Sequence, residues 1–162
     1  MKVELRNVKY ARFASEETDC FSATVYIDGK RAGEVSNAGH GGCDDYHPHT
    51  LGARLTEWAA TLPPYIMSGE PRQHNAETAI GDLFTAWQYA RDLKRALAKR
   101  LLFTKADKPG LFQSGTLPKA HIARIVAEQS VFEATKAKLN AAEILNCLPL
   151  DKALTIYRSN AA

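Results

Sequence analysis

The period of the apolar positions changes once along the chain. Up to residue 37 they alternate: Phe21, Ala23, Val25 and Ile27 are interleaved with Ser22, Thr24, Tyr26 and Asp28, the period of two that marks a half-buried strand. Val3, Leu5, Val8 and Tyr10 form an earlier strand whose alternation slips near Asn7, as a β-bulge would make it slip. Asp28-Gly29 is a hairpin signal, and residues 32–37 supply the returning strand. A two-residue loop would pair Ile27 with Lys30 and turn Val35 to the wrong face. A three-residue loop ending at Gly29 pairs Phe21 with Val35, keeps the apolar side chains together, and is the expected register.

From residue 50 the period is helical. Leu51, Leu55, Trp58, Ala59 and Leu62 lie on one face, with Thr50 as the expected N-cap and Pro63-Pro64 as the stop. Residues 65–74, with Gly69 and Pro71, read as a surface loop. A long helix is expected from the N-cap Asn75 to about Leu101, its stripe formed by Ile80, Leu83, Phe84, Trp87, Ala90, Leu93, Leu97 and Leu101. A short second hairpin is expected near 101–113. Further helices are expected over 117–129, over 131–139, and from Pro149 to about Arg158. The pattern predicts one α+β domain over 1–162: an N-terminal antiparallel β-meander at 1–37, a Gly/His-rich loop at 38–49, and a mainly helical remainder at 50–162 that packs on the meander.

Composition fits that size. The chain has 162 residues, 45% of them hydrophobic and 24% charged, enough for one core and unlike a disordered chain. No apolar run approaches the roughly 20 residues of a membrane span, and the first residues carry no secretory apolar run, so a soluble, cytoplasmic protein is expected. Cys20, Cys43 and Cys147 are an odd number without paired spacing, which argues against a disulfide framework. Cys20 and Cys147 sit beside Phe21 and Leu148 and read as small core residues.

The densest chemistry lies in residues 37–49, where His40, Cys43, Asp44, Asp45, His47 and His49 are interleaved with Gly39, Gly41 and Gly42. His40, His47 and His49, with Cys43 or Asp44 as a fourth ligand, are donors that suit zinc, and Asp45 is the candidate general base for a metal-bound water. No cofactor other than zinc is indicated. The spacing matches no established zinc pattern, and the glycine-rich loop lacks the lysine of a phosphate-binding loop. A Cys43 nucleophile with a histidine base is a further option. The structural alternative is a tight polar connection with glycines for turn geometry. His74 and His121 read as ordinary surface or helix-face residues.

Net charge is +3, unevenly spread: residues 1–49 hold 6 Lys/Arg against 8 Asp/Glu, and residues 76–109 hold 7 against 4. In the latter, Arg91, Lys94, Arg95, Lys99 and Arg100, followed by Lys105 and Lys108, form a candidate phosphate-contacting face. The alternative is the solvated side of an amphipathic helix, with positive charge well placed near its C-terminus. No aromatic residue interleaves with these cations in the helical pattern, which speaks against a single-strand stacking platform.

The segment Phe13-Ala14-Ser15-Glu16-Glu17-Thr18-Asp19-Cys20-Phe21-Ser22-Ala23-Thr24-Val25-Tyr26-Ile27-Asp28-Gly29, with Val35-Ser36-Asn37-Ala38-Gly39-His40-Gly41-Gly42, resembles a group of small uncharacterised proteins found on bacteriophages, plasmids and bacterial genomes. The likeness extends to Ile144-Leu145-Asn146-Cys147-Leu148-Pro149 and Ala153-Leu154. It implies an accessory role on a mobile element, interference with a host or defence system being one such role, and it transfers no catalytic residue. The function expected first is therefore non-enzymatic engagement of nucleic acid or a nucleoprotein complex. A metal-dependent hydrolase or nuclease built on the loop, and a protein-only inhibitor or adaptor acting on a host protein complex, are the alternatives.

Overall fold

The computed structural model describes residues 1–160 and has the expected α+β class, with its backbone in two compact units, residues 1–85 and the described residues from 86 on. In the first unit, β1 (Val3–Tyr10), β2 (Phe21–Ile27), β3 (Lys30–Asn37) and β4 (Asp45–His47) form an antiparallel sheet in the order of the chain. The break expected near Asn7 is a bulge between Arg6 and Lys9, and Asn7 itself takes a left-handed φ of 53°. One face of β2 is buried throughout, at Phe21, Ala23, Val25 and Ile27.

The hairpin register differs from the expected one. Ile27 pairs with Lys30 across the two-residue turn Asp28-Gly29, both residues having positive φ (49° and 80°), as the twist of a tight hairpin requires. The parity of Val35 is then restored by a bulge: Tyr26 faces Arg31 and Val25 faces Gly33, so Ala32 is the extra residue. Val35 lands opposite Ala23, on the buried face after all. The turn and the core are both satisfied because one residue is spent between them.

The sheet is covered by α1 (Thr50–Ala59) and the first half of α2 (Ala76–Leu97). Leu51, Leu55, Trp58 and Ala59 of α1 are buried, as are Ala76, Ala79, Ile80 and Phe84 of α2. Phe84 stacks on Phe21 at 4.4 Å. The N-cap of α1 is His49, not Thr50, and no side chain caps it. At α2 the expected cap is present: Asn75 Oδ1 accepts from the Thr78 amide at 2.8 Å, and Thr78 Oγ1 accepts from the Asn75 amide at 3.0 Å. Residues 65–74, expected as loop, contain a hairpin of β5 (Tyr65–Met67) and β6 (Glu70–Arg72), turned at Ser68-Gly69. Pro71 is accommodated because each strand of this pair is an edge.

The second unit contains the other half of α2, then β7 (Leu102–Lys105), β8 (Leu111–Gln113), α3 (Lys119–Ala127), α4 (Gln129–Leu139), β9 (Ala141–Ile144) and α5 (Leu150–Asn160). The expected hairpin is β7–β8, but β7 is the centre of a three-stranded sheet with β9 on its far side. Leu101, Phe103, Ile125 and Ile144 are buried in one cluster, and Leu93, Leu102, Leu145 and Ala153 in another. Burial pushes the Cys147 thiol above its ordinary value, in keeping with a core role. No helix among the described residues is long and apolar enough to cross a membrane.

Asn146 closes this unit. Its Nδ2 donates to the carbonyls of Leu97 and Arg100, both at 3.0 Å, and its Oδ1 accepts from the Leu102 amide at 3.1 Å. These are the orphan groups left where α2 ends and β7 begins. Asn146→Ala should lower unfolding stability by about 2–3 kcal/mol, the usual cost of leaving such groups unpaired, measurable by urea denaturation. A loss below about 0.5 kcal/mol, the range of an ordinary surface change, would mean that water replaces the amide fully.

Candidate functional site

Residues 38–49 are built around a buried side chain that their histidines do not touch. Asn37, at the end of β3, is 7% exposed. Its Oδ1 accepts from Thr18 Oγ1 (2.7 Å) and from the Gly39 amide (2.9 Å), while its Nδ2 donates to the Gly42 carbonyl and to Asp44 Oδ1, both at 3.0 Å. All four bonding directions of one amide are used. The Gly39 carbonyl in turn accepts from the amides of Glu16, Glu17 and Thr18. Gly39 has φ 92°, and a Cβ there would collide with the Ala14 carbonyl, so this position admits glycine alone.

The expected metal donors are dispersed by this arrangement. His40 is exposed and pairs with Glu16, Nδ1 to Oε2 at 3.2 Å. Cys43 is exposed. Asp44 turns inward to Asn37. What was expected as loop contains β4, where Asp45 faces Ser36 and His47 faces Glu34 across the strand pair. The alternation of β4 sends Asp45 and His47 to one face and Tyr46 to the other. His49 caps α1. Asp45, His47 and His49 do share the rim of a polar depression of ≈ 480 Å³ on the sheet. Among the described residues, however, no three His, Cys, Asp or Glu side chains are grouped so as to hold a metal ion.

Electrostatics pick out Asp44 and Tyr46 instead. Burial raises the pKa of Asp44, and Glu77 and Asp45 add to the effect against the opposing hydrogen bond from Asn37. Burial likewise holds the Tyr46 phenol well above its ordinary range, helped by the charges of Asp44 and Glu77. The buried Tyr46 hydroxyl acts on Asp44 as a hydrogen-bonding neighbour, which lowers the Asp44 pKa against the larger effect of burial and raises that of Tyr46 itself.

The basic residues lie in the second unit. Lys94, Arg95, Lys99 and Lys108 are exposed, and Lys105 is half-buried. Arg91 pairs with Asp92 at 2.9 Å and lies over the Trp87 ring, and Arg100 donates to Gln113 at 2.7 Å. Aromatic surface accompanies these cations more than the helical pattern suggests: the Lys105 and Lys108 ammonium groups lie 5.1 and 5.8 Å from the centre of the Phe112 ring on β8. Among the described residues, Lys94, Arg95, Lys99, Lys105 and Lys108 form no salt bridge. The division of the chain sharpens the charge separation. Residues 86–162 hold 13 Lys/Arg against 6 Asp/Glu, net +7, whereas residues 1–85 hold 8 against 12, net −4.

Sequence reasoning missed Asn37, Tyr46, His74 and Glu77. His74, expected at the surface, has a side chain only 8% exposed. Its one local signal is its place immediately before the Asn75 cap, and nothing there indicates the Tyr65 ring that covers it at 4.8 Å. No protein-family model, curated protein or solved structure matches the chain.

The raised pKa of Asp44 fixes a sign. A carboxyl whose folded pKa exceeds its unfolded value holds its proton better when folded, so stability falls as pH rises from the ordinary value of 3.8 through the folded one. Asp44→Asn keeps an acceptor for Asn37 and removes the charge. It should raise the melting temperature at pH 7, the gain fading as pH falls toward 4 in a series of thermal melts. A gain that is absent at pH 7, or independent of pH, would contradict the assignment.

Proposed function

We propose that the chain is a non-catalytic accessory protein of a mobile element, which engages nucleic acid, free or in a nucleoprotein complex, through the basic face of residues 86–162. Counteraction of a host or defence system is the role this reading assigns to the binding. The observation that carries it is the set Lys94, Arg95, Lys99, Lys105 and Lys108, cations without salt bridges among the described residues in a unit of net charge +7. Cations left unneutralised by the protein hold mobile counterions, and a polyphosphate backbone releases its own counterions on meeting them. Arg91 and Arg100 belong to the same unit, each tied to a neighbour. Nothing in the arrangement recognises a particular base, so the contact is one of backbone and charge.

Five phosphate contacts would give log K against log salt a slope of about −4.5 on duplex DNA and about −3.5 on single strands. Replacing Lys94, Arg95 and Lys99 together by alanine should flatten the duplex slope by about 2.7, with the fold kept because all three are exposed. Fluorescence anisotropy across a salt series measures both. Binding that is absent, or insensitive to salt, would sink the reading.

A second reading, an inhibitor or adaptor that contacts protein alone, is favoured by Phe13, which is 96% exposed. It stands on a 3-10 turn at Arg12–Ala14 held by the Ser15 hydroxyl, which accepts from the Cys20 amide at 2.9 Å and donates to the Ala11 carbonyl at 3.1 Å. A fixed, exposed aromatic ring is the form of an interface anchor. A stoichiometric partner retained after nuclease treatment and lost from Phe13→Ala would establish this second reading; a partner retained by that variant would exclude Phe13 as its anchor.

A further inference from the structure

The first unit holds a cleft that neither reading above uses. It has a volume of ≈ 340 Å³ and lies among β2, β3, the β5–β6 hairpin and the first turns of α2. Its charged residues are all acidic: Asp19, Asp44, Glu77 and Asp82, with no lysine or arginine in the lining. Its aromatic lining is the Tyr65 ring, which lies over His74, together with the little that is exposed of the stacked core pair Phe21 (8%) and Phe84 (2%).

Independently of charge, the cleft lining contains an unused hydrogen-bonding atom. The His74 side chain is more than nine-tenths buried, yet its Nδ1 has no hydrogen-bond partner among the described residues; Asp82 Oδ2 is 3.9 Å away, beyond hydrogen-bond reach. With the proton on Nε2, Nδ1 is a free acceptor. Buried polar atoms in native structures are nearly always paired, so an orphan in the wall of a cleft points to a donor that arrives from outside. Asp44 repeats the theme: its carboxylate is half-buried, accepts from Asn37, and is crowded by Glu77 and Asp45 without any cation.

The ligand these features describe is cationic, rich in donors and flat. A metal ion is not indicated, because no three donors converge among the described residues. A guanidinium group meets all three demands: it stacks on aromatic faces, it pairs in a fork with carboxylates, and its further N–H groups can reach an imidazole nitrogen. An ammonium group would use the carboxylates but gain less from the aromatic ring. We propose that this cleft binds a guanidinium group, against the Tyr65 ring and with the carboxylates of Glu77 and Asp82 at its mouth.

The source of the guanidinium is either a small molecule or an arginine of a polypeptide, and calorimetric titration of the full chain separates them. Three probes are used: agmatine, the peptide acetyl-Gly-Arg-Gly-amide, and cadaverine as an amine without guanidinium. Saturable binding of agmatine supports a small-molecule site, and binding of the peptide alone supports an arginine side chain. In either case Glu77→Gln combined with Asp82→Asn should weaken the affinity tenfold or more. Both residues are exposed, and an unchanged melting temperature shows that the variant is folded. A chain that binds none of the probes at millimolar concentration would overturn the proposal. So would equal affinity for cadaverine, or an affinity untouched by the double substitution.

Discussion

Backbone groups that leave regular structure must find partners, and in each unit one asparagine side chain supplies them. Asn37 uses four bonds to bind the 15–19 segment, Gly39, Gly42 and Asp44 to the end of β3. Asn146 uses three to bind the end of α2 to the start of β7. An amide suits both places because it donates and accepts within one rigid plane; a carboxylate could only accept, and a hydroxyl could not span two carbonyls. Around these two anchors the remainder is ordinary burial, of β2 and β3 under α1 and α2 in one unit and of β7 against α3, α4 and α5 in the other.

The Asn37 network also explains why residues 38–49 are so polar and yet do not collect their histidines. Its bonds constrain the backbone at 39 and 42 and hold the Asp44 side chain, and β4 then locks 45–47 to the sheet edge. Strand geometry sends Asp45 and His47 away from Asp44's partner Asn37, while Tyr46 packs its ring over Gly52 of α1. The glycines serve the turn, as at Gly39, where any side chain would meet the Ala14 carbonyl. A dense run of potential ligands in sequence is thus separated by the alternation of the backbone that carries it.

Local periodicity made some of this legible and long-range pairing hid the rest. The alternation from Phe21 to Ile27, the slip near Asn7 and the Asn75 cap are all local, and each is present in the structure. The β2–β3 register was not legible, because two requirements competed and the structure met both by inserting Ala32, which no count of apolar positions anticipates. β9 was missed because Ala141-Ala142-Glu143-Ile144 has weak strand character and acquires its partner, β7, from about forty residues upstream. Gly69 and Pro71 signalled a loop, but Ser68-Gly69 is equally a tight hairpin turn, and an isolated pair of edge strands tolerates proline. Among the chemical residues, the excess of positive charge in the second half was legible because charge is a property of composition. Asn37 and His74 were not, since the burial of a polar side chain depends on what arrives from elsewhere in the chain.

The modest net charge of +3 conceals two opposite halves, and the opposition bears on what the protein recognises. A chain of +7 followed to its phosphate-binding conclusion would need no acidic half, and the carboxylates of a −4 half would reduce attraction for a bare polyanion. They also cost stability: Asp44 is held where burial and Glu77 disfavour its charge, and beside them His74 keeps a buried nitrogen unpaired. Such costs persist where a ligand later offsets them. On the two proposals taken together, a nucleoprotein complex would offer both complements at once, phosphates for Lys94, Arg95 and Lys99 and the arginines of a nucleic-acid-binding protein for the acidic cleft. The two proposed sites are separately testable, but a target carrying both charges accounts for their presence on one chain more economically than either naked nucleic acid or a purely basic protein.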